Sequence, residues 1–554
     1  MRRFLVTLVL TSLLVLPFPS GQAQRKTDKS KKPAVSAATQ RGADLITASQ
    51  LRDYLYFIAS DEMEGRDTPS RGLDITAKFL ATNLAHWGFK PAGDDGTFFQ
   101  KIALRRDLIN KERTQVELNG QPLTFGVDYI PLARSAEVSG PLVFAGNGWF
   151  VKSKNIDSYK GIDAKGKIAV IFGPVNGLPR GIRNSDLTGK RGEDWMNASD
   201  YAMKQGALAV VMVPDFQFLA NWDRNRQRMT ERGTTVVEKF QTSGGPQTPG
   251  IVASPRVANL LFQRESANAT AIFEAASGGE MPAPFALNPE KKMSITVASS
   301  NDPISTQNVV AVFEGGDPVL KDEYVALGAH YDHVGIGPPL NGDSIYNGAD
   351  DDGSGTTALL AIAEAFAKAT TRPKRSVLFV WHAGEEKGLW GSRYFTDYPT
   401  TPLDKIVTQI NIDMIGRSKK AGDTNPRNSS LSGPNEIYVI GSKMMSTELG
   451  ELSQAVNKNY LNLEYNYRYD DPNDPNRFFF RSDHYNYARK GIPIIFFFDG
   501  EHEDYHRPGD SPDKIDYQKM EKVTRTVYMT LWELANRPVR PKVDKQLPPE
   551  LNRN

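Results

Sequence analysis

The sequence predicts an α/β fold: a mostly parallel sheet with helices on both faces, interrupted by a smaller β-rich domain. From about Ser294 onward, apolar runs of strand length alternate with segments of helical period, the texture of a parallel sheet with crossover helices. Over 121–293 the texture differs, with short β-type runs divided by Gly, Pro and Asn clusters. At 554 residues the chain is long enough for more than one folded unit.

Composition narrows the function classes. Lys and Arg total 67 against 65 Asp and Glu, a net charge of +2, so nothing supports nucleic-acid binding or an electrostatic membrane anchor. There is no cysteine, which excludes disulfides, thiol catalysis and Fe–S ligation. Arg2 and Arg3 precede the apolar run Phe4 to Leu16, and Pro17, Pro19, Gly21 and Ala23 follow. This is the order of a secretory signal over 1–23, cleaved after Ala23. The run is short for a bilayer span, which takes about 20 residues. The expectation is an exported protein, periplasmic or extracellular, with no lasting membrane anchor.

Residues 24–44 are basic and small and read as a disordered linker. The first part of the main domain, 45–120, opens with Leu51, Tyr54, Leu55 and Ile58 at helical spacing, with Thr47 or Ser49 placed to cap. A second helix is expected over Gly72 to Trp87, stopped by Gly88, with His86 in a structural or surface role at its end. Strands are expected at Phe98 to Leu104 and Thr114 to Leu118. In the insert they are expected at Pro141 to Ala145, Lys167 to Phe172, Leu208 to Val213 and Gly250 to Ala253, with a helix near Asp194 to Gln205. Asn221 to Glu231 is polar and reads as a loop or surface helix.

The main part of the large domain, 294–540, is expected to carry strands at Gln307 to Glu314, Glu323 to Ala329, Ser376 to Trp381, Ile406 to Ile412, Glu436 to Ile440 and Ile492 to Phe498. Helices are expected near Ser354 to Thr370, Trp390 to Tyr398, Ser446 to Asn459, His484 to Lys490 and Met520 to Asn536. A tail, 541–554, follows. In such sheets ligands bind at the carboxyl ends of the strands. Those ends here present His330 and Asp332, then Glu385 and Glu386, then Asp413, then Tyr505 and His506; the triple Asp350, Asp351, Asp352 stands at a helix start. Imidazoles and carboxylates gathered this way suit divalent metal, and a cation is a reason to tolerate three adjacent acids. His333, His382 and His502 read as surface or hydrogen-bonded residues, although His382 is close enough to Glu385 to line a cleft. Phe478 to Phe480 and Phe496 to Phe498 read as core or buried strand, one ring of the first run being placed to line a pocket.

Seven motifs, in order, carry a resemblance: G-A-H-Y-D, G-A-D-D-D-G-S-G, G-E-E-K-G-L-W-G-S, N-I-D-M-I-G, S-D-H, G-I-P and D-Y-H. Together they resemble the double-zinc exopeptidases, which include secreted bacterial aminopeptidases, glutamate carboxypeptidases and glutaminyl cyclases. The resemblance implies two Zn²⁺ per chain, His330 and Asp413 on one, Glu386 and His506 on the other, and Asp351 between them, with Asp350 as its competitor. It also implies Glu385 as general base, Asp332 as the acceptor that orients His330, and Tyr505 aimed at the oxyanion. Asp483 and His484 match outer positions. The implied activity is hydrolysis of the N-terminal peptide bond of peptides. A glutamate-carboxypeptidase-like enzyme gripping carboxylates with Arg417, Arg477 and Arg481 is the alternative; a glutaminyl cyclase or a non-catalytic binding module is a more distant one. The stretches Ser158 to Val170 and Lys204 to Val213 resemble a protease-associated domain, a non-catalytic insert bordering a peptidase cleft.

Overall fold

The computed structural model describes residues 37–132, 134–175, 177–241, 248–278 and 280–546. The expected signal segment and most of the linker lie outside these residues. Within them no helix is long and apolar enough to cross a membrane.

A ten-stranded sheet organises the larger unit. Its centre is four parallel neighbours in the order Ser376–His382, Tyr324–His330, Ile406–Ile412 and Ile494–Phe498. All four are buried along their length apart from the half-buried Tyr324, as strands covered on both faces must be. The sheet is less parallel than expected outside this centre. Ser299–Phe313 runs antiparallel to Ser376–His382 and pairs along its length with Phe99–Ile109, while Glu436–Ile440 runs antiparallel to Ile494–Phe498. A parallel pair needs a long crossover, and the stretch between Ser299–Phe313 and Tyr324–His330 holds only the short turn Leu320–Asp322.

Helix Gly355–Lys368 fills one face. Ala and Leu dominate its buried positions, which lets it lie close against the sheet and against helices Ala48–Ile58 and Tyr517–Asn536. Thr47 caps Ala48–Ile58 through the Gln50 N–H, and Gly88 follows Arg71–His86 at φ +75°, as the sequence implied. The expected linker contains a helix, Ala37–Ala43, with Ala43 and Ile46 buried in the main core. Gly42 leaves room there for the Tyr528 phenol.

The second unit is a nine-stranded sheet. It includes Gln115–Leu118 and Lys292–Val297, so it reaches a few residues beyond 121–293 on its amino-terminal side and on its carboxyl-terminal side. Its core is separate, around Phe144, Val170, Val211, Ile251 and Phe262. The stretch expected as loop or surface helix is the helix Trp222–Thr230, without a fully buried residue.

Candidate metal centre

Register places the site. His330 and His382 are Cα partners at the ends of adjacent parallel strands, and Gly328 pairs with Asn411 two residues before Asp413. The chain past each strand end therefore enters one space. Ala349–Ser354 brings the acidic triple to the same place, its backbone pinned by Asp510, whose carboxylate accepts the N–H of Asp350 at 3.0 Å and of Asp351 at 3.1 Å.

The three aspartates divide. Asp352 accepts the N–H groups of Gly355 at 2.8 Å and His330 at 3.2 Å, tying helix start to strand end. Asp350 accepts from the Gly416 N–H at 2.7 Å and lies 3.4 Å from His502 Nε2. Asp351 alone faces the converging side chains with both oxygens. Its Oδ1 is 3.2 Å from His330 Nε2, and its Oδ2 is 3.1 Å from His506 Nε2 and 3.7 Å from His333 Nδ1.

Two groups of donors can each hold a metal ion: His330, Asp351 and Asp413, and His333, Asp351 and Glu386, their donor atoms within 4.8 Å of one another. His330 Nε2 is 3.5 Å from Asp413. Glu386 reaches His333 Nδ1 at 2.9 Å with one oxygen and His506 Nε2 at 3.1 Å with the other. All five side chains expected as ligands are thus brought together. His333, expected as a surface or hydrogen-bonded residue, is fully buried among them, because the turn after His330 carries it inward three residues later. That i, i+3 spacing past a strand end was the available signal.

Glu385 stands beside this centre, 3.9 Å from His330 Nε2, and belongs to neither group. The Asp332 carboxylate accepts its N–H at 3.2 Å and the Thr68 hydroxyl at 3.0 Å. His330 Nδ1 lies 3.1 Å from the Asp332 main-chain carbonyl and 3.6 Å from the carboxylate, so the main chain, rather than the expected side chain, is its nearest acceptor. Asp413 accepts from Ser482 at 2.6 Å. Tyr505 stacks on His506, ring centres 4.0 Å apart. It also lines a small recess with Glu385, Asp413, Met414, Phe478, Phe496 and Phe498. His382 closes a buried chain instead, 3.3 Å from Asp483 and 3.0 Å from the Tyr487 hydroxyl.

Arg66 was not singled out by sequence. It is fully buried and donates to the carbonyls of Ile58, Tyr331, Asn347 and Gly348 at 2.7–3.0 Å, fixing the segments on both sides of the site. Burial pulls its guanidinium down to about 10, against the pull of Asp332, Asp510 and Asp351.

The donor set fits a divalent cation. His330 Nε2, both nitrogens of His333, Asp351 Oδ2, Glu386 Oε1 and His506 Nε2 are buried without a hydrogen-bond partner. Orphans of this kind cost about 1–3 kcal/mol each unless something satisfies them. Electrostatics agree. Burial lowers His330, but Asp413 and Glu385 outweigh it and hold it well above its ordinary value. Burial raises Asp351, but His330, His333 and His506 hold it well below. Glu385 is raised well above the carboxylate range, first by burial and then by Glu386 and Asp413 against the pull of His330.

Residues 308–531 match the model of peptidase family M28. The chain is 40% identical over 120 residues to a probable leucine aminopeptidase 2 of Aspergillus oryzae, 22% of this chain and 21% of that one. It is 37% identical over 140 residues to aminopeptidase Y of Saccharomyces cerevisiae, 25% and 23% of the two chains. With a probable zinc metalloprotease of Pyrenophora teres f. teres it shares 29% over 260 residues, 43% and 50%. The chain thus spans half or less of the length of the curated relatives it matches. The aminopeptidase from Aneurinibacillus sp. strain AM-1 superposes over 92% of this chain and 98% of its own, with a TM-score of 0.51 at 16% identity, and so shares the fold. The strands whose ends gather these imidazoles and carboxylates lie almost wholly within the matched stretch, and that stretch, residues 308–531, belongs to peptidase family M28.

Proposed function

We propose that the chain is a zinc-dependent exopeptidase that removes the N-terminal residue of peptides. One observation carries this reading: the two oxygens of Asp351 face two separate donor groups, with Glu385 3.9 Å from His330 and part of neither group. His330 and Asp413 would hold one zinc ion, Glu386 and His506 the other, with Asp351 shared and His333 completing the second. Zinc would supply Lewis acidity toward the scissile carbonyl and a lowered pKa for a water. Zinc is favoured by the imidazole and carboxylate donors and by the name of the Pyrenophora relative.

Glu385 takes a proton from the attacking water and delivers it to the leaving amine. Asp332 positions it through the main chain. Tyr505 donates its hydroxyl hydrogen toward the oxygen of the attacked carbonyl; burial, with Asp351 and Glu386 nearby, raises its pKa and keeps that proton on. Phe478, Phe496 and Phe498 line a small recess beside Asp413 and Glu385, together with Arg481, Ser482 and Glu501. Two of the arginines that a carboxypeptidase reading would use are committed: Arg481 to Glu501 at 2.6 Å and Arg417 to Asp504 at 3.0 Å. Relatives bearing the names leucine aminopeptidase and aminopeptidase Y support the amino-terminal direction. The nine-stranded unit is proposed as a protease-associated insert, supported by its helix Trp222–Thr230 lining a cleft that reaches His506.

The purified chain should hydrolyse leucine p-nitroanilide and not its N-acetyl derivative. Activity should vanish with chelator and return with zinc. Release of the carboxyl-terminal residue of a peptide instead would overturn the assignment.

A further inference from the structure

One cleft is used by neither the metal centre nor the small recess beside it. It starts at His506 and runs between the two units, with a volume of about 1090 Å³. One wall is the hairpin of Gly335–Leu340 and Asp343–Tyr346, and the other is formed around helix Trp222–Thr230. Its charge is one-sided: Arg224, Arg228, Arg232 and Arg507 line it against a single carboxylate, Asp215. That carboxylate is engaged, accepting the Phe218 N–H at 3.0 Å as a helix cap.

The same helix shows how an arginine behaves when it has a partner. Arg226, which does not line the cleft, pairs with Glu231 at 2.8 Å and lies 3.7 Å from Asp223. Among the described residues Arg228 has only the Asn225 amide oxygen, at 3.5 Å. Among the described residues Arg224, Arg232 and Arg507 have no carboxylate partner. Four guanidinium groups that keep their charge at any physiological pH repel one another in one cleft. An anion with a planar, two-oxygen head relieves that repulsion and matches their donor geometry.

We propose that this cleft binds a carboxylate on the leaving side of the substrate. The inference rests on the peptidase reading above. The cleft opens at His506, one of the donors of the centre where the scissile bond would sit. The remainder of the peptide therefore runs past the arginines. The carboxylate comes from one of two sources, the free carboxyl terminus of a short peptide or an acidic side chain downstream of the cut.

The test compares kcat/KM for Leu-Gly-Gly, Leu-Gly-Gly amide and Leu-Asp-Gly amide, in wild type and in R224Q/R228Q/R232Q. Wild type should favour a carboxylate-bearing peptide over Leu-Gly-Gly amide about tenfold at low salt, mainly through KM, and lose the preference near 0.5 M salt as exposed charges are screened. Preference for Leu-Gly-Gly identifies the terminus, preference for Leu-Asp-Gly amide identifies the side chain, and either supports the proposal. In the triple variant the ratio should approach one, with R224Q/R228Q intermediate. A wild-type ratio near one for both peptides, or a ratio untouched by the substitutions, overturns the proposal and leaves the peptidase reading standing. Absence of turnover on these peptides and on leucine p-nitroanilide overturns both.

Discussion

At the scale of single residues, Glu385 and Glu386 are neighbours in sequence with different surroundings. Glu386 touches two imidazoles, and Glu385 touches none closely. Glu385→Gln should therefore lower kcat by about 10²–10⁴ while bound zinc, measured by atomic absorption, stays at the wild-type level. His333 makes the converse case. Its ring lies 2.9 Å from Glu386 and 3.7 Å from Asp351, with neither nitrogen hydrogen-bonded. His333→Asn should weaken the binding of one zinc equivalent about 10–100-fold by calorimetry, and unchanged affinity would remove His333 from the centre. The other donors were legible because each stands just past a strand end or at a helix start in a recognisable frame. His333 was not, because a lone histidine is ordinarily a surface group and only the turn after His330 directs it inward. Arg66 was invisible for a similar reason: its four acceptors are main-chain carbonyls, which leave no mark in sequence.

At the scale of elements, the apolar runs marked the central strands to within a residue or two, because a strand buried on both faces has no alternative composition. Several elements escaped, helices Pro255–Phe262 and Ala269–Gly278 among them, and two others show why. Among its described side chains helix Ala37–Ala43 gives Ala43 to the core, and Ile46 follows beyond its end, too few to form a period; its contact with Tyr528 is tertiary. The strand Thr234–Val237 is a short run in a polar setting, and its partner, Phe99–Ile109, lies in the other unit. The short helix His484–Ala488 holds a group whose effect is on stability. His484 is fully buried, stacked on Phe496, and donates from Nε2 to the Phe479 carbonyl at 2.8 Å. Burial pulls its pKa down to about 3 from the ordinary 6.5. Between those values the unfolded chain binds a proton that the folded one refuses, so stability is complete above pH 6.5 and lost as pH falls toward 3. The loss is about 1.4 kcal/mol per pH unit, about 2 kcal/mol at pH 5. His484→Gln keeps a donor for the carbonyl without the charge. Its melting temperature should fall less steeply than wild type between pH 6.5 and 5; parallel curves would assign the acid lability to other groups.

At the scale of the whole molecule, the question is what holds the arginine-bearing helix against the metal-binding unit. The chain leaves the large sheet at Ile109 and returns at Ser299, its Cα partner, which by itself would be a hinge. The excursion is fastened a second time. Thr234–Val237, just after helix Trp222–Thr230, adds to the edge of Phe99–Ile109, and Val237 is buried against Ile102, Leu104 and Tyr394. The Phe240 and Tyr394 rings follow at 6.2 Å, and the Lys239 ammonium lies 4.5 Å above the Tyr398 ring. Val237→Asp would place a carboxylate in that apolar cluster, where an unpaired charge costs several kcal/mol, so the strand should detach rather than bury it. Trypsin should then cut near Arg232 and Lys239 about tenfold faster or more, as cleavage tracks the population of the open form. Bound zinc should not change, since the donors come from strand ends on the other side of Ser299–Phe313 and from the loops beyond them. If zinc is lost along with the clamp, the second unit supports the metal centre itself and does more than wall the cleft beside it.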